Sequence, residues 1–526
     1  MTGPLSALAV AVVCLVTLGL SLFMLRLSRR TSDFYVAGRT VSAGRNAAAI
    51  GGEYLSAASF LGVAGFIYDQ GVDALWYPIG YTVGYLVLLI LVAAPMRRSG
   101  AYTLPDFAEA RLGSVPLRRL CTLLVVLIGW LYLIPQFQGA DFTLRLVTGA
   151  PTWVGSLVVA VVVILAVAAG GMRSITLVQA VQYWVKLTAL AVPAGMILGA
   201  WWATQGPAPA VAEAWTQPFT GRAPEEHHLY RTFSLIVALA LGTTGLPHVV
   251  VRYYTNPDGA AARRTTVRVL ALLGLFYVFT IVYGVLGRAY LPVLGAGDRA
   301  DTVVLRLPAE VFASPASDIL TAALVGGAFA AFLSTSSGLA VAVTGVLNQD
   351  LVRPLLARVT QGDSTEVSGF RFAAVLAVLV PYAVSRFFPQ VPLAAFVTLA
   401  FVIAASTFFP LLALGVWWPR LSVQGAAAGL TTGAVLAIGA LVATGLLAQQ
   451  TGWPDALLAH PAAWTVPAAL LAAVGVSLAT PHGIPPGARR TLVRLHTPEV
   501  VTVAPLAPQG RAGSPVPRTG SVRDHV

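Results

Sequence analysis

Two apolar stretches of the chain contain glycine and polar residues where a plain membrane-spanning helix would not have them. Residues 49–59 read AIGGEYLSAAS, and residues 241–248 read LGTTGLPH. Glycine pairs, and a proline without an N–H, free backbone groups that a continuous helix would pair. Within a membrane such groups are tolerated only where they face protein or a water-filled cavity. Broken helices that hold an ion or a solute are therefore one interpretation, and close helix packing through small residues is the other.

A third stretch, residues 328–338, reads AFAAFLSTSSG and places four hydroxyls in an otherwise apolar helix. A small monovalent cation needs several neutral oxygens, which carry little charge to desolvate. Carbonyls freed in the first stretch, together with these hydroxyls, would supply them. The alternative is that the hydroxyls bond back to carbonyls one turn earlier, and this alternative applies better to Ser336 and Ser337 than to their neighbours.

Five ionisable side chains lie at or near membrane depth: Glu53, Asp141, Lys186, His248 and Arg252. A charge at the centre of a membrane helix costs at least about 2.5–3.5 kcal/mol, so such residues are functional candidates. Glu53, Lys186 and Arg252 are predicted to serve coupling or gating. Glu53 would titrate during transport or be a static partner of one of the two cations. Asp141 is predicted to form an ion pair with Arg145, one turn further on.

Lys186 is the only lysine of the chain and lies about 21 Å of helix from the start of its span. That depth is too great for the side chain to reach the membrane surface easily. Three roles are open: a partner for Glu53, a group that attracts a carboxylate, and a proton carrier that replaces a bound cation.

The elements that must position these residues follow from composition, since 57% of the 526 residues are hydrophobic and 10% are charged. Soluble domains contain about 25% charged residues, which excludes a soluble enzyme, a disordered protein and a nucleic-acid binder. An all-α polytopic membrane protein is predicted, because the apolar stretches are too long and too uniform for barrel strands. Thirteen spans are predicted near 5–26, 44–67, 72–95, 119–144, 152–170, 174–202, 231–253, 266–290, 318–348, 369–388, 393–418, 424–447 and 463–480.

The order of the spans contains a repeat, because spans 2–6 and 7–11 are two runs of five and an interrupted helix opens each run. Five crossings invert the second run relative to the first, and paired interruptions in inverted halves indicate a secondary transporter with its site at the midplane. The predicted organisation is a first helix and cytoplasmic loop (1–43), a first repeat (44–202), an outer loop (203–230), a second repeat (231–420), additional helices (421–486) and a disordered cytoplasmic tail (487–526).

Basic residues then orient the chain, since 24 of the 33 fall on one side of the predicted spans and seven on the other. The positive-inside rule places the N-terminus outside a bacterial-type cell membrane and the C-terminus in the cytoplasm. The net charge of +12 is explained by this topology, with membrane lipids rather than a nucleic acid as surroundings. No phosphate loop, metal cluster or nucleophile motif stands out, so neither enzymatic activity nor a cofactor is predicted.

Several motifs resemble the sodium:solute symporter family, and within it the cation/acetate and related monocarboxylate symporters. They are SDFYVAGR at 32–39, EYLSAASFLG at 53–62, GGMRS at 170–174, GLPH at 245–248 with Arg252, and the Ser-Thr at 334–335. The resemblance covers roughly residues 30–420 and implies a LeuT-like fold of two inverted five-helix repeats. It also implies a sodium ion, as co-substrate, bound by the carbonyls of Gly52, Leu55 and Ala331 and the hydroxyls of Ser334 and Thr335.

The chain departs from the sugar and proline carriers of that family. Gln179 stands where those carriers have an aspartate, and the third span contains no acidic residue. A sugar needs many directed polar partners, whereas a small carboxylate needs only a few N–H or O–H donors. The two helix breaks, facing each other, would offer such donors to a carboxylate. The residues expected to line this substrate site are Tyr54, Ser59, Thr243, Thr244 and Gly245.

The predicted function is sodium-coupled import of acetate or another short-chain monocarboxylate by alternating access. Proton coupling through Glu53 or Lys186 in the same fold is the alternative. A sensor module of symporter-like fold is a second, disfavoured alternative, because only about 46 residues follow the last predicted span.

Overall fold

The computed structural model describes residues 3–25, 31–209, 211, 213–219, 226–294, 299–356, 365–387, 393–446 and 451–499, and the secondary structure there is helical. The helices are α1 Gly3–Leu25, α2 Thr31–Val36, α3 Ala43–Tyr54, α4 Val63–Gln70, α5 Trp76–Leu91, α6 Ala93–Ser99, α7 Leu104–Leu112, α8 Val115–Thr148, α9 Val154–Ala203, α10 Glu213–Thr216, α11 His228–Gly245, α12 Pro247–Val251, α13 Gly259–Tyr290, α14 Val303–Val311, α15 Ala316–Leu347, α16 Arg353–Leu356, α17 Thr365–Ser385, α18 Leu393–Ser406, α19 Phe408–Trp417, α20 Val423–Leu446, α21 Trp453–Ala459, α22 Ala462–Ala479 and α23 Ala488–His496.

Eleven helices in the described part of the chain are long and apolar enough to cross a membrane, so the expected count of thirteen is not confirmed. One of the eleven, α9, has 50 residues, which is about 75 Å of helix against a hydrocarbon core of about 30 Å. It bends at Gly171, whose backbone has φ 53° and ψ −146°. Spans 152–170 and 174–202 were predicted on either side of this glycine.

Both predicted helix breaks are confirmed. α3 ends at Tyr54, Leu55 has the non-helical angles φ −74° and ψ 81°, and one π-helical turn at Ala58–Gly62 leads into α4. In the second break, α11 ends at Gly245 and Leu246 is extended before α12 starts at Pro247. Proline disfavours helical angles in the residue before it, which explains why the break falls at Leu246.

The two broken helices lie against long helices that carry polar side chains. α9 packs against α15, α3, α1 and α8, while α11 packs against α5 and α18. The second half of α9 directs Thr176, Gln179, Tyr183 and Lys186 to one side, since they are spaced three or four residues apart. All four side chains are buried, and α9 packs against α3.

The region after α22 differs in part from the prediction. Residues 487–526 were expected to be disordered, yet α23 forms at Ala488–His496 and packs against α6. The side chain of Arg98 donates to the carbonyl oxygens of Leu495 and His496 at the end of α23. Those carbonyls have no partner within the helix, so this arginine caps the helix end. The predicted tail beyond residue 499 lies outside the described residues.

Candidate ion and substrate site

The carbonyl oxygens freed at the first helix break are paired by side chains from two other helices. The Ser334 hydroxyl donates to the Gly52 oxygen over 2.6 Å, and the Thr335 hydroxyl donates to the Glu53 oxygen over 2.6 Å. Both hydroxyls come from α15, which crosses the break. The C-terminal end of a helix leaves carbonyls without internal partners, and here α15 supplies them. The two hydroxyls therefore bind across to α3.

Ser336 and Ser337 were expected to bond back along their own helix, and this is wrong. Both hydroxyl oxygens are buried, and neither has a hydrogen-bond partner among the described residues. The next residue, Gly338, lies against Glu53: a Cβ there would be 2.2 Å from the Glu53 carboxyl group. The absence of a side chain at Gly338 therefore makes room for Glu53 between α3 and α15.

Lys186 reaches the same break from α9. Its Nζ lies 2.5 Å from the Gly52 oxygen, 2.6 Å from the Leu55 oxygen and 3.0 Å from the Ser334 hydroxyl. The side chain is fully buried. Close approach of α9 depends on Gly52, because a Cβ there would lie 2.2 Å from the Gln179 carbonyl oxygen. An ammonium group is thus held among the oxygens of the break.

A buried ion pair lies beside this ammonium group. Arg252 Nε donates to Glu53 Oε2, and the exposed fractions of the two side chains are 0% and 2%. The guanidinium also donates to Gln179 Oε1 and, over 2.9 Å, to the Thr176 hydroxyl. Gln179 in turn donates to the Ser334 carbonyl over 2.7 Å. The pair therefore connects α3, α9, α15 and the segment that follows α12.

Asp141 is not bound as predicted. Its carboxylate accepts hydrogen bonds from Arg386 and, over 2.7 Å, from the Ser156 backbone N–H. The second contact satisfies a free N–H in the first turn of α9. The predicted pair with Arg145 was inferred from spacing along one helix, which cannot reveal an arginine near the end of another helix.

The two helix breaks meet at Tyr54 and Thr243, whose hydroxyl oxygens are 2.7 Å apart. Ser59 lies nearby in sequence and its hydroxyl is 3.2 Å from that of Tyr277, on α13. Tyr54 and Thr243 are thus bonded across the two breaks, while Ser59, beside the first break, is bonded to α13.

The other two predicted lining residues face neighbouring helices. The Thr244 hydroxyl contacts the Gly84 carbonyl of α5 over 3.4 Å. Gly245 is packed against α18, since a Cβ there would be 2.3 Å from the Ala404 oxygen. The Thr244 hydroxyl and Gly245 therefore contact α5 and α18, whereas the Thr243 hydroxyl contacts Tyr54.

A family model of the sodium:solute symporter family matches residues 34–433, which is most of the chain. The chain belongs to the sodium:solute symporter family.

Two relatives are similar along most of their length. The uncharacterized symporter YwcA of Bacillus subtilis is 31% identical over 432 residues, covering 80% of this chain and 83% of that protein. The monocarboxylic acid transporter of Corynebacterium glutamicum is 30% identical over 446 residues, covering 79% of this chain and 80% of that protein.

Two solved structures show the fold. A Na+-coupled sialic acid symporter, in a substrate-bound outward-open state, aligns with a TM-score of 0.68 at 14% identity, covering 90% of this chain and 98% of that chain. Mhp1, a nucleobase-cation-symport-1 family transporter, aligns with a TM-score of 0.55 at 13% identity, covering 89% and 99%. This symporter chain therefore has the LeuT-like fold that the sequence predicts.

Four of the five oxygens expected to hold sodium come together around Ser334 and Lys186, and all five are already engaged in hydrogen bonds. Lys186 donates hydrogen bonds to the Gly52 and Leu55 carbonyls and to the Ser334 hydroxyl. The Ala331 carbonyl accepts from Ser334 over 3.1 Å, and Thr335 donates to the Glu53 carbonyl. With the ammonium present, the donor set does not fit a sodium ion.

Sequence reasoning missed an aromatic cluster around Tyr54. The rings of Tyr85, Tyr81 and Phe401 lie 4.9, 5.6 and 6.3 Å from that of Tyr54. Tyr132 joins the cluster through Phe401, at 6.0 Å, and stacks on His248 at 5.3 Å. The signal available in the sequence was the pair Gly80-Tyr81 and Gly84-Tyr85, one helical turn apart, in a span without charge.

Two polar side chains of this cluster have no hydrogen-bond partner among the described residues. They are the hydroxyl of Tyr85 and both ring nitrogens of His248, and both side chains are at least 99% buried. A buried polar group without a partner costs about 1–3 kcal/mol. A carboxylate bound in this cluster would satisfy both, so Tyr85 and His248 are candidate contacts for a substrate.

Proposed function

We propose that the chain imports acetate or another short-chain monocarboxylate together with a cation, by alternating access between the two helix breaks. The observation that carries the proposal is the buried, uncharged set of donors beside the breaks, above all Tyr85 and His248 without partners. A carboxylate would satisfy these donors. Its short apolar remainder would contact the rings of Tyr54, Tyr81 and Phe401.

The 30% identity to a protein named monocarboxylic acid transporter supports the same substrate class. A sugar is a poorer fit, because it needs several directed polar partners around its whole perimeter. A sensor role has no specific observation in its favour.

The expected coupling cation is sodium, and the rival is a proton. The family description supports sodium. The contacts of Lys186 favour the rival, because an ammonium group lies among the oxygens expected to bind the metal. An imposed sodium gradient at fixed pH, and an imposed pH gradient without sodium, distinguish the two in the same vesicles.

The proposal is tested with purified protein in liposomes, by measuring uptake of labelled acetate, propionate, pyruvate and proline. We expect uptake of the monocarboxylates but not of proline. Tyr85→Phe and His248→Asn are each expected to raise the KM for the carboxylate about tenfold, because one hydrogen bond to a charged group contributes about 1.5 kcal/mol or more.

Tyr230→Phe is the matched control. Tyr230 lies near the start of α11, outside the aromatic cluster, and its hydroxyl donates to the His460 carbonyl. This variant should keep the wild-type KM. Transport of proline in preference to every carboxylate, or an unchanged KM in both site variants, would contradict the proposed substrate site.

A further inference from the structure

We infer that the ammonium group of Lys186 takes the place of a sodium ion at the first helix break, so that this symporter supplies its own cation there. The inference deepens the proposed cation-coupled symport and rests on it, because it concerns which cation the site accepts. Its basis is the position of one side chain, the only lysine of the chain, among oxygens that come from two different helices.

The hydrogen bonds around Nζ are those of a protonated amine. Two of the three acceptors, the carbonyls of Gly52 and Leu55, cannot donate. The third, the Ser334 hydroxyl, uses its own proton toward the Gly52 or Ala331 carbonyl, at 2.6 and 3.1 Å. With the Ser334 proton on one of these carbonyls, Lys186 donates all three hydrogen bonds, which is the full capacity of an ammonium group.

Sodium and this ammonium group cannot share the site. Sodium would need the same oxygens that now lie 2.5–3.0 Å from Nζ. Two positive charges this close repel each other strongly in the low-dielectric interior of the protein. Glu53 is the nearby anion, and it already binds Arg252. A sodium ion would add a third positive charge to a cluster with one negative charge.

The packing of α3, α9 and α15 holds the Lys186 side chain in place. Gln179, two turns before Lys186 on α9, donates to the Ser334 carbonyl and so fixes α15 against α9. Gly52 lets α9 approach α3 closely. Because these carbonyls and hydroxyls belong to α3, to Leu55 in the break and to α15 rather than to α9, they would remain as an oxygen cage when the lysine side chain is removed.

The experiment compares the thermal unfolding of purified wild-type protein and the Lys186→Ala variant in detergent, with NaCl replaced stepwise by choline chloride at constant ionic strength. We expect the wild-type Tm to be independent of sodium. The alanine variant should gain about 2 °C or more in 100 mM NaCl, because an ion that binds only the folded state raises its stability.

Two further variants locate the effect. Lys186→Met removes the charge but fills the space, so its Tm should not respond to sodium. In the Lys186→Ala background, Ser334→Ala removes one oxygen of the cage and should abolish the response. A folded Lys186→Ala protein without a sodium response would overturn the inference, as would wild-type stabilisation by sodium that Ser334→Ala removes.

The wild-type titration keeps the inference falsifiable if the alanine variant does not fold. The Tm readout does not involve the substrate, so it also separates this inference from the proposed function. Failure to transport any carboxylate would leave the sodium response of Lys186→Ala unaffected, whereas carboxylate uptake with a sodium-stabilised wild-type site would overturn the inference alone.

Discussion

Arg252 is a fully buried charge whose partners lie on two helices that flank the breaks. It binds Glu53 on α3 and both Thr176 and Gln179 on α9. A buried ion pair does not by itself stabilise a fold, because desolvation offsets the Coulomb attraction, but removing one partner leaves an uncompensated charge. The static role that the sequence offered for Glu53 is therefore the one that the contacts support in this conformation.

Single and double substitutions at this pair have different expected effects. Glu53→Leu and Arg252→Met alone should each lower the free energy of unfolding by about 3–5 kcal/mol, since each leaves one buried charge unpaired. The double variant should recover most of that loss. Denaturant titration of the detergent-solubilised proteins measures all three values as a double-mutant cycle.

Asp455→Asn is the control, because the Asp455–Arg231 pair is partly exposed, with side-chain exposures of 34% and 16%. Its cost should stay within about 1 kcal/mol. A double variant of Glu53 and Arg252 that is as unstable as the sum of the singles would show that the two charges act independently, against this interpretation.

Only part of the arrangement at the first break could be predicted from the sequence. The meeting of two motifs at the first break could be inferred, since Ser334 binds the Gly52 carbonyl and Thr335 binds the Glu53 carbonyl. The depth of Lys186 in its span could also be read from position. Which neighbour it faces could not, because the direction of a side chain around a helix axis has meaning only once the surrounding helices are placed.

Among the elements, α3 uses a glycine before its break for close packing against α9 and not for unusual backbone angles. Gly52 lies within α3, and its missing Cβ lets the Gln179 backbone approach. Gly171 is different, because its φ of 53° is a conformation that residues with side chains rarely adopt. The Gly-Gly pairs at 51–52 and 170–171 therefore look alike in sequence but serve different purposes.

Alanine substitutions distinguish a glycine needed for close helix packing from one that is not. Gly52→Ala would place Cβ 2.2 Å from the Gln179 carbonyl oxygen, so α3 and α9 would have to separate. We expect a loss of about 1–3 kcal/mol in stability, as overpacking usually costs, together with loss of uptake. Thermal unfolding and liposome uptake measure the two effects.

Gly199→Ala is the matched control, since Gly199 is also helical and no atom of another residue outside its own turn lies within 4 Å of a Cβ there. That variant should be neutral or more stable by about 0.5–1 kcal/mol, because alanine favours helix over glycine. Equal effects of the two substitutions would show that contact between α3 and α9 does not limit the fold.

At the scale of the whole molecule, most of the architecture follows from patterns along the chain. Hydrophobic stretches locate the helices, and paired interruptions locate the breaks, because both are local consequences of membrane solvation. The number of crossings is less accessible, since α9 runs for 50 residues with only a bend at Gly171. The Ala488–His496 helix was missed because it forms by packing on α6, a contact that composition does not encode.

The distribution of arginine predicts how the chain is oriented in the membrane. With 24 of 33 basic residues on one side, we expect α23 in the cytoplasm and α10 outside. Single cysteines at Glu213 and Arg490, both exposed, test this in a background where the buried Cys14 and Cys121 are replaced by alanine. A membrane-impermeant thiol reagent should label Glu213→Cys on intact cells and Arg490→Cys only after the cells are permeabilised. The opposite pattern would mean that the chain is inserted the other way round, and then the basic residues near α6 and α23 would need an explanation other than topology.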